Sequence, residues 1–176
     1  MTSSMKKIFL LGVFLFAANT ISVFAQSKVN WMSIETAMQK NKTEKRKIFV
    51  DVFTEWCGWC KRMDAATFQQ PEIAAYLNAN YYPVKLDAEQ RAEIIFKDKK
   101  YQYVAQGNRG YHAFAAELLK GQMSYPTVVF MDEELNVIQP LPGYQAPTDF
   151  EPIMKYFGGN FYKSMPWQKY QESYKK

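Results

Sequence analysis

The chain has 176 residues, a formal charge of +5, two cysteines and one histidine. That length suits one domain with a single hydrophobic core, and the charge is too small to indicate a protein that binds nucleic acid. Zinc needs about four ligands, usually Cys or His, so one chain of this composition cannot complete a tetrahedral zinc site. We therefore predict neither a nucleic-acid partner nor a metal, and no motif indicates another cofactor.

The first 25 residues have the pattern of a secretory signal peptide. Lys6 and Lys7 precede an apolar stretch at residues 8–18, and a small-residue cleavage site follows at residues 23–25. Cleavage after Ala25 would lower the formal charge from +5 to +3. An uncleaved membrane anchor is the alternative, although the apolar stretch is shorter than the roughly 20 residues that a span requires. We expect an exported protein in the periplasm, an oxidising compartment.

Residues 26–160 predict one mixed α/β domain, since neither an internal repeat nor a low-complexity linker interrupts them. Apolar spacing predicts a first helix that contains Trp31, Ile34, Ala37 and Met38, followed by a strand at Lys47–Phe53. A second helix should run from the cysteines through Met63 towards Phe68. A third should start at Pro71 and turn Ile73, Ala74 and Leu77 towards the core. The remaining elements are strands at residues 81–86, Thr127–Met131 and 137–138, then a helix that starts near Thr148 and Asp149, buries Phe150, Ile153, Met154 and Phe157, and ends at Gly158-Gly159. This order predicts a sheet with helices on both faces.

Both cysteines lie in the pentapeptide Trp56-Cys57-Gly58-Trp59-Cys60, directly after the first predicted strand. At the start of a helix, an i, i+3 spacing brings two sulfurs close enough to form a disulfide. Unpaired backbone N–H groups and the positive end of the helix dipole favour a thiolate at the first sulfur. We therefore predict that Cys57 is the nucleophile and Cys60 the resolving thiol.

Three alternative roles of the cysteine pair stay open. It could be half of a zinc site, for which His112 is the one possible third ligand in the chain. It could be a structural disulfide, although closing so short a loop constrains the unfolded chain very little. It could also belong to a redox fold that has lost its chemistry and only binds a partner.

Four segments together give the chain a family resemblance. They are Trp56-Cys57-Gly58-Trp59-Cys60-Lys61, Thr67-Phe68-Gln69-Gln70-Pro71-Glu72-Ile73, Tyr125-Pro126-Thr127 and Gly143-Tyr144. Over residues 29–157 the chain resembles the thioredoxin-fold family, in particular its secreted branch that includes the C-terminal domain of bacterial thiol:disulfide interchange proteins. The resemblance implies an α/β fold with a central mixed sheet flanked by helices, and an insertion before a strand that follows a cis proline.

The resemblance also implies an acid and a lysine beside the cysteines. Asp51 lies in an otherwise apolar strand, where burial should raise the pKa of its carboxyl group. The matching acid of the family relays a proton to or from the resolving cysteine, so Asp51 would serve Cys60 through water. The alternative is that Asp51 only accepts backbone hydrogen bonds. Lys85 matches the lysine that the family keeps near this acid, or it could be a solvent-facing strand residue.

Five residues are predicted to bind the substrate. By the resemblance, cis Pro126 faces the cysteines, and the backbone of Tyr125 pairs with an extended client segment, as in strand addition. Trp56, Gly58 and Trp59 would surround an exposed Cys57 sulfur, the two tryptophans as an apolar contact surface. The alternatives are a trans Pro126 that opens a strand, and tryptophans that are buried in the core.

The chain departs from the family pattern in three places. The dipeptide Gly58-Trp59 lacks the proline of the thioredoxins proper and the histidine of the oxidising and isomerising members, so it does not fix the redox direction. Residues 88–123 form an insertion, with a hairpin predicted from residues 93–96 and 101–104 before a helix around residues 112–119. This insertion could shape partner choice, but packing accounts for its tyrosines and His112 more simply. The tail at residues 161–176 either docks as a short helix or frays.

These features predict an exported thiol:disulfide oxidoreductase that reduces protein disulfides as a monomer and is regenerated by a membrane electron-transfer partner. A disulfide oxidase or isomerase would use the same residues with another redox poise and other partners. A non-catalytic binding or chaperone-like module, using the surface of Trp56, Trp59 and Tyr125, is the alternative from a different class.

Overall fold

The computed structural model describes residues 28–174, and the predicted signal peptide lies outside them. Its main sheet has four strands, β1 (Lys47–Phe53), β2 (Tyr81–Asp87), β7 (Thr127–Met131) and β8 (Val137–Pro142). Their spatial order is β2-β1-β7-β8, with β2 parallel to β1 and the other two pairings antiparallel. The helices are α1 (Ile34–Thr43), α2 (Gly58–Met63), α3 (Pro71–Asn80), α4 (Ala113–Leu118), α5 (Pro147–Gly158) and α6 (Trp167–Tyr174).

Strand β1 is apolar along almost its whole length because both faces of the sheet are covered. Its alternate side chains enter two hydrophobic clusters. Ile48, Val50 and Val52 pack with residues of α1 and α4, whereas Phe49 packs with residues of α3 and α5. The predicted α/β fold, with a mixed sheet and helices on both faces, is confirmed.

The start of α1 differs from the prediction. The helix begins at Ile34 because the hydroxyl of Ser33 caps it, accepting a hydrogen bond from the N–H of Thr36 (3.2 Å). Placing Trp31 in this helix was therefore wrong. The segment before the cap instead runs beside the sheet, where Met32 forms a parallel bridge with Val84.

Other boundaries follow from local signals. A π-helical turn at Asp64–Phe68 succeeds α2, and α3 starts at Pro71, a residue suited to the first helical position. Helix α5 starts at Pro147 rather than Thr148, and the residue with left-handed backbone beyond it is Asn160 (φ 61°) instead of a glycine.

Strand β8 is longer than the two predicted residues and lies at one edge of the sheet. It contains Pro140 and Pro142, which pair with Val129 and Thr127 of β7. An edge strand tolerates prolines because its outer side makes no hydrogen bonds to a further strand.

The insertion contains two hairpins, so the prediction of a single hairpin was wrong. The first joins β3 (Ile94–Phe96) to β4 (Lys99–Tyr101), and the second joins β5 (Tyr103–Gln106) to β6 (Arg109–His112). Each connection has two residues, and positive φ angles at Lys97, Asp98 and Gly107 give the tight reversals. The first strand pairing therefore ends at Tyr101, and residues 103–106 pair with a strand that sequence reasoning did not identify.

His112 packs between the second hairpin and α4. Its Nδ1 accepts a hydrogen bond from the N–H of Phe114 (3.2 Å), and its Nε2 lies 3.0 Å from the carbonyl oxygen of Ala92. Burial lowers the pKa of this histidine. These contacts support a packing role for His112 within the insertion.

The tail forms a 3-10 turn at Phe161–Lys163 and then α6, which packs against α5. The ring of Tyr156 lies 5.2 Å from that of Trp167 and 5.0 Å from that of Tyr170. Of the helices in residues 28–174, none has the length and apolar character needed to cross a membrane.

Candidate active site around the cysteine pair

The two cysteines form a disulfide across the first turn of α2. Cys57 caps the helix in an extended conformation, and its Cα lies 5.3 Å from that of Cys60. The N–H of Cys60 points at the Cys57 sulfur at 3.1 Å. The helix terminus therefore offers this sulfur a hydrogen bond that would also stabilise a thiolate.

The Cys57 sulfur was expected to be exposed, and in the disulfide form this expectation is wrong. Cys57 keeps 5 % of its surface and Cys60 keeps 2 %. The reason is that the first sulfur turns back onto the helix, bonded to its partner and facing the Cys60 N–H. Of the two cysteines, Cys57 is slightly more exposed.

The tryptophans of the motif are exposed, as predicted for a contact surface. Trp56 keeps 51 % of its surface and Trp59 keeps 59 %. Each meets a tyrosine, with ring centres 6.0 Å apart for Trp56 and Tyr125 and 5.5 Å apart for Trp59 and Tyr144. Gly58 faces open space, so a side chain at this position would meet no neighbour.

The peptide bond between Tyr125 and Pro126 is cis, as the resemblance implied. It lies directly before β7, whose Thr127 pairs with Val52 of the central strand. The carbonyl oxygen of Pro126 accepts a hydrogen bond from the N–H of Gly143 (2.8 Å). Because Gly143 has a positive φ of 91°, a conformation that favours glycine, this second family motif supports the proline loop.

Asp51 and Lys85 form an ion pair on adjacent strands, in which the carboxyl group is buried and the lysine is partly exposed. They are register partners in β1 and β2, and the lysine Nζ lies 2.5 Å from Oδ2 of the aspartate. Burial raises the pKa of Asp51 to about 6, although the lysine acts in the opposite direction. Among the described residues, Oδ1 of Asp51 has no hydrogen-bond partner. Lys85 therefore lies beside this acid, as the resemblance implied, while 21 % of its side chain stays exposed where it lines a groove.

The lysine has a second carboxylate partner that sequence reasoning missed. Lys85 Nζ also contacts Oδ1 of Asp64, and the rings of Trp31 and Phe53 lie about 5 Å from the cation. Lys85, Asp64 and Trp31 border a groove of about 500 Å³ that Lys28 and Phe68 also line. The spacing of Asp64, one helical turn after Cys60, was the signal that could have identified it.

Two further residues missed at the sequence level come from the insertion. The carboxylate of Glu89 accepts a hydrogen bond from the indole N–H of Trp56 (2.9 Å), and the guanidinium of Arg109 lies 4.8 Å from the centre of the Trp56 ring. Nothing local in the sequence pairs these positions with the cysteine motif. The insertion therefore borders the cysteine site directly.

The site consists of a disulfide, a buried acid, a lysine and exposed aromatic rings. Within residues 28–174, no three His, Cys, Asp or Glu residues lie close enough together to hold a metal ion. The chemistry available to these groups is thiol exchange with proton transfer.

Comparison with known proteins identifies the family of this chain. The family described as Thioredox_DsbH, protein of unknown function DUF255, matches residues 18–149. Spermatogenesis-associated protein 20 of Rattus norvegicus is 35 % identical over 83 residues, which are 47 % of this chain and 10 % of that much longer protein.

Solved structures show the same fold. A thioredoxin-fold protein from Helicobacter pylori superposes with a TM-score of 0.56 and 18 % identity, covering 74 % of this chain and 81 % of that chain. The DsbH oxidoreductase superposes with a TM-score of 0.54 and 16 % identity, covering 89 % and 95 %. With the family match over about three quarters of its length, this chain belongs to the DsbH/DUF255 family of thioredoxin-like proteins.

Proposed function

We propose that this protein is an exported thiol:disulfide oxidoreductase that reduces disulfides in protein clients. The observation that carries the proposal is the setting of the Cys57-Cys60 pair at the start of α2. The strand that leads into it holds the buried Asp51, and the adjacent strand begins after the cis bond at Pro126. From this arrangement we infer a thiolate site, a proton acceptor and a docking loop around one dithiol.

In the reducing direction, Cys57 acts as a thiolate and Cys60 as a thiol. The Cys57 sulfur attacks one sulfur of the client disulfide, which forms a mixed disulfide and releases the first client thiolate. Cys60 then loses its proton and attacks the Cys57 sulfur, which releases the second client thiolate and closes the bridge. Two electrons pass to the client. One proton leaves Cys57 when its thiolate forms and one leaves Cys60 before its attack, and these two balance the protons taken up by the two client thiolates.

Asp51 fits the role of proton acceptor for Cys60. Because its pKa is raised to about 6, its carboxylate takes up a proton more readily than an exposed aspartate does. Lys85 holds Oδ2, while Oδ1 is free among the described residues to accept a hydrogen bond from a water. We assign the transfer from Cys60 to this carboxylate through such a water.

Client binding is assigned to the loop and the aromatic surface around the cysteines. The backbone of Tyr125 would pair with an extended client segment, presenting its disulfide to Cys57 past Pro126. Trp56 and Trp59 would cover apolar client side chains, since both lie half-exposed beside the motif. Gly58 leaves room between them for the client backbone.

Each cycle leaves a disulfide that has to be reduced again. We assign this step to a membrane electron-transfer partner, because thiol reductants are scarce in an oxidising compartment. We also propose that the protein acts as a monomer.

The reduction potential of the Cys57-Cys60 pair distinguishes reduction of client disulfides from oxidation of client thiols. A value near roughly −270 mV fits a reductase, whereas a value near about −120 mV would make the protein an oxidant of client thiols.

The residue at position 59 should tune that potential. A protonated imidazole in the first turn of α2 would stabilise the Cys57 thiolate and thus the reduced form. We expect Trp59→His to raise the potential by about 30 mV, which corresponds to about a tenfold change in the exchange equilibrium. Trp59→Phe controls for loss of the indole. Equilibration in graded thiol buffers at pH 6, followed by trapping of free thiols, measures the change, and equal potentials for the two variants would contradict it.

Trapping of the mixed disulfide tests the proposed function. The Cys60→Ala variant, reduced and mixed with insulin, should form a covalent adduct that dithiothreitol releases, because the resolving sulfur is missing. The Cys57→Ala variant should form almost none, since the helix-terminal N–H bond that favours a thiolate is made to Cys57 and not to Cys60. Equal adduct from both cysteine variants, or no adduct at all, would refute the reaction.

Expression with the first 25 residues, followed by mass spectrometry of the product, tests cleavage after Ala25.

A further inference from the structure

Two arginines stack on the two tryptophans of the cysteine motif. The guanidinium carbon of Arg109 lies 4.8 Å from the centre of the Trp56 ring, and that of Arg62 lies 5.8 Å from the centre of the Trp59 ring. All four side chains are exposed. One arginine comes from the insertion and the other from α2, so the two cations reach the motif from different elements.

Neither arginine has a polar partner in the part of the chain that the structure describes. No ion pair or side-chain hydrogen bond in residues 28–174 includes Arg62 or Arg109. Arg46, in contrast, pairs with Glu44 and donates to the carbonyl oxygen of Asn78. A guanidinium that stacks on a ring keeps its edge N–H groups free, and their geometry matches a carboxylate.

Three acidic residues lie on the Trp56 side of this surface, since Glu55 precedes Trp56 in the chain and acts electrostatically on Asp87 together with Glu89. Glu89 accepts the indole N–H of Trp56, and Asp87 accepts the backbone N–H of Glu89 (2.9 Å). Glu89 thus holds the Trp56 ring, and none of the three forms an ion pair with Arg62 or Arg109 among the described residues. The two cations therefore remain free to pair with a client beside the tryptophans of the cysteine motif.

The second hairpin holds Arg109 in this position. Arg109 opens β6, and the next residue is Gly110, where a Cβ would lie 2.2 Å from the carbonyl oxygen of Val104 and 2.4 Å from Oη of Tyr103. Only glycine lets the Tyr103 ring pack this closely on the opposite strand. The hairpin is thus built compactly at the point where it presents Arg109 to Trp56.

We infer that Arg109 and Arg62 are client-recognition residues that select disulfides flanked by acidic side chains. This inference rests on the proposed function and adds a substrate class to it. Trp56 precedes Cys57 in the chain and Trp59 follows it, so carboxylates on a client joined to Cys57 would find a stacked guanidinium at either tryptophan. Exposed pairs of this kind favour association and orientation, and their effect weakens as salt is added.

Peptide disulfides of defined charge test the inference. The probes are disulfide-linked dimers of short peptides that carry aspartate, serine or lysine on both sides of one cysteine. The reduced full-length chain is mixed with each probe, and the second-order rate of peptide thiol release is measured in a single turnover. The ratio of the aspartate rate to the serine rate removes any general effect of a variant on the Cys57 thiolate.

The wild-type protein should reduce the aspartate peptide fastest and the lysine peptide slowest. Arg109→Gln and Arg62→Gln should each lower the ratio of the aspartate to the serine rate about fivefold, the size of one well-oriented surface ion pair. Arg91→Gln is the matched control, because Arg91 is an exposed arginine of the insertion that stacks on Tyr103 instead of a motif tryptophan. It should leave the ratio unchanged.

Three results would overturn the inference. They are equal wild-type rates for all three peptides, a ratio that survives both arginine substitutions, and an Arg91→Gln effect as large as that of Arg109→Gln. Each of these leaves the proposed function intact, because the serine peptide is still reduced. If no peptide is reduced, or if Cys57→Ser reduces them equally well, the proposed function fails and the inference fails with it.

Discussion

Replacing Cys57 with serine is expected to slow disulfide reduction at least about 10³-fold, because a hydroxyl is far less nucleophilic than a thiolate at neutral pH. Cys60 is not expected to take over the attack, because it lies within α2, whereas the sulfur of Cys57 caps the helix and accepts the N–H bond that would stabilise a thiolate. The measurement is the rate of insulin reduction by stoichiometric reduced protein.

The control for this variant is its fold. Cys57 caps α2 through its sulfur, and serine is a good capping residue, so the variant should keep the helix and most of its stability. A circular dichroism spectrum and a thermal melt that match those of the reduced wild-type protein would show this. A Cys57→Ser protein that is folded and still reduces insulin within tenfold of the wild-type rate would rule out Cys57 as the nucleophile.

Replacing Asp51 with asparagine is expected to stabilise the oxidised protein at high pH. In the reduced protein, the same change should slow the attack of Cys60 on the mixed disulfide. The buried carboxyl group has a pKa of about 6 when folded and a usual value of 3.8. A raised pKa means that the folded state prefers the protonated acid. The carboxyl therefore contributes its full stability below pH 3.8, and this contribution is lost as the pH rises through about 6.

The shift corresponds to about 3 kcal/mol of destabilisation above pH 7, which asparagine removes because it stays neutral. Chemical denaturation of wild type and Asp51→Asn at pH 8 and pH 4 measures the difference, which should nearly vanish at pH 4. Glu93→Gln provides a matched control, since Glu93 is an acid of the insertion whose pKa is lowered by contacts with Lys100 and Gln102.

The same Asp51 variant should resolve the mixed disulfide about 10- to 100-fold more slowly, because the proton of Cys60 loses its acceptor. The pH dependence of the resolving step should lose its inflection near pH 6. If Asp51→Asn is equally stable at pH 8 and resolves the mixed disulfide at the wild-type rate, the carboxyl has neither the raised pKa nor the proposed role.

The central part of the site could be predicted from the sequence because its signals are local. A buried strand, two cysteines at an i, i+3 spacing and a helix fix the position of the disulfide within a few residues. The acid inside that strand could be assigned to the interior from its apolar neighbours alone. The cis bond at Pro126 needed the family resemblance, since a cis bond is rare even before proline.

The rest of the surface depends on contacts between distant parts of the chain. Arg109 reaches Trp56 only because a second hairpin folds back, and a hairpin turn of Gly107-Asn108 between short, mostly exposed strands gives a weak pattern. Lys85 likewise bridges two aspartates through strand pairing and a helical turn, which spacing does not encode. The exposure of Cys57 was misjudged because it depends on how the sulfur turns back onto α2.

The two edges of the main sheet are each closed to a further strand. At the β8 edge, Pro140 and Pro142 lack the N–H donors that another strand would need. At the β2 edge, Met32 occupies the hydrogen-bonding groups, donating to Pro83 (2.9 Å) and accepting from Lys85 (3.2 Å). An extended polypeptide that approaches the domain is thereby discouraged from adding to the sheet and nucleating aggregation. Both edges protect a protein whose proposed clients are themselves extended segments.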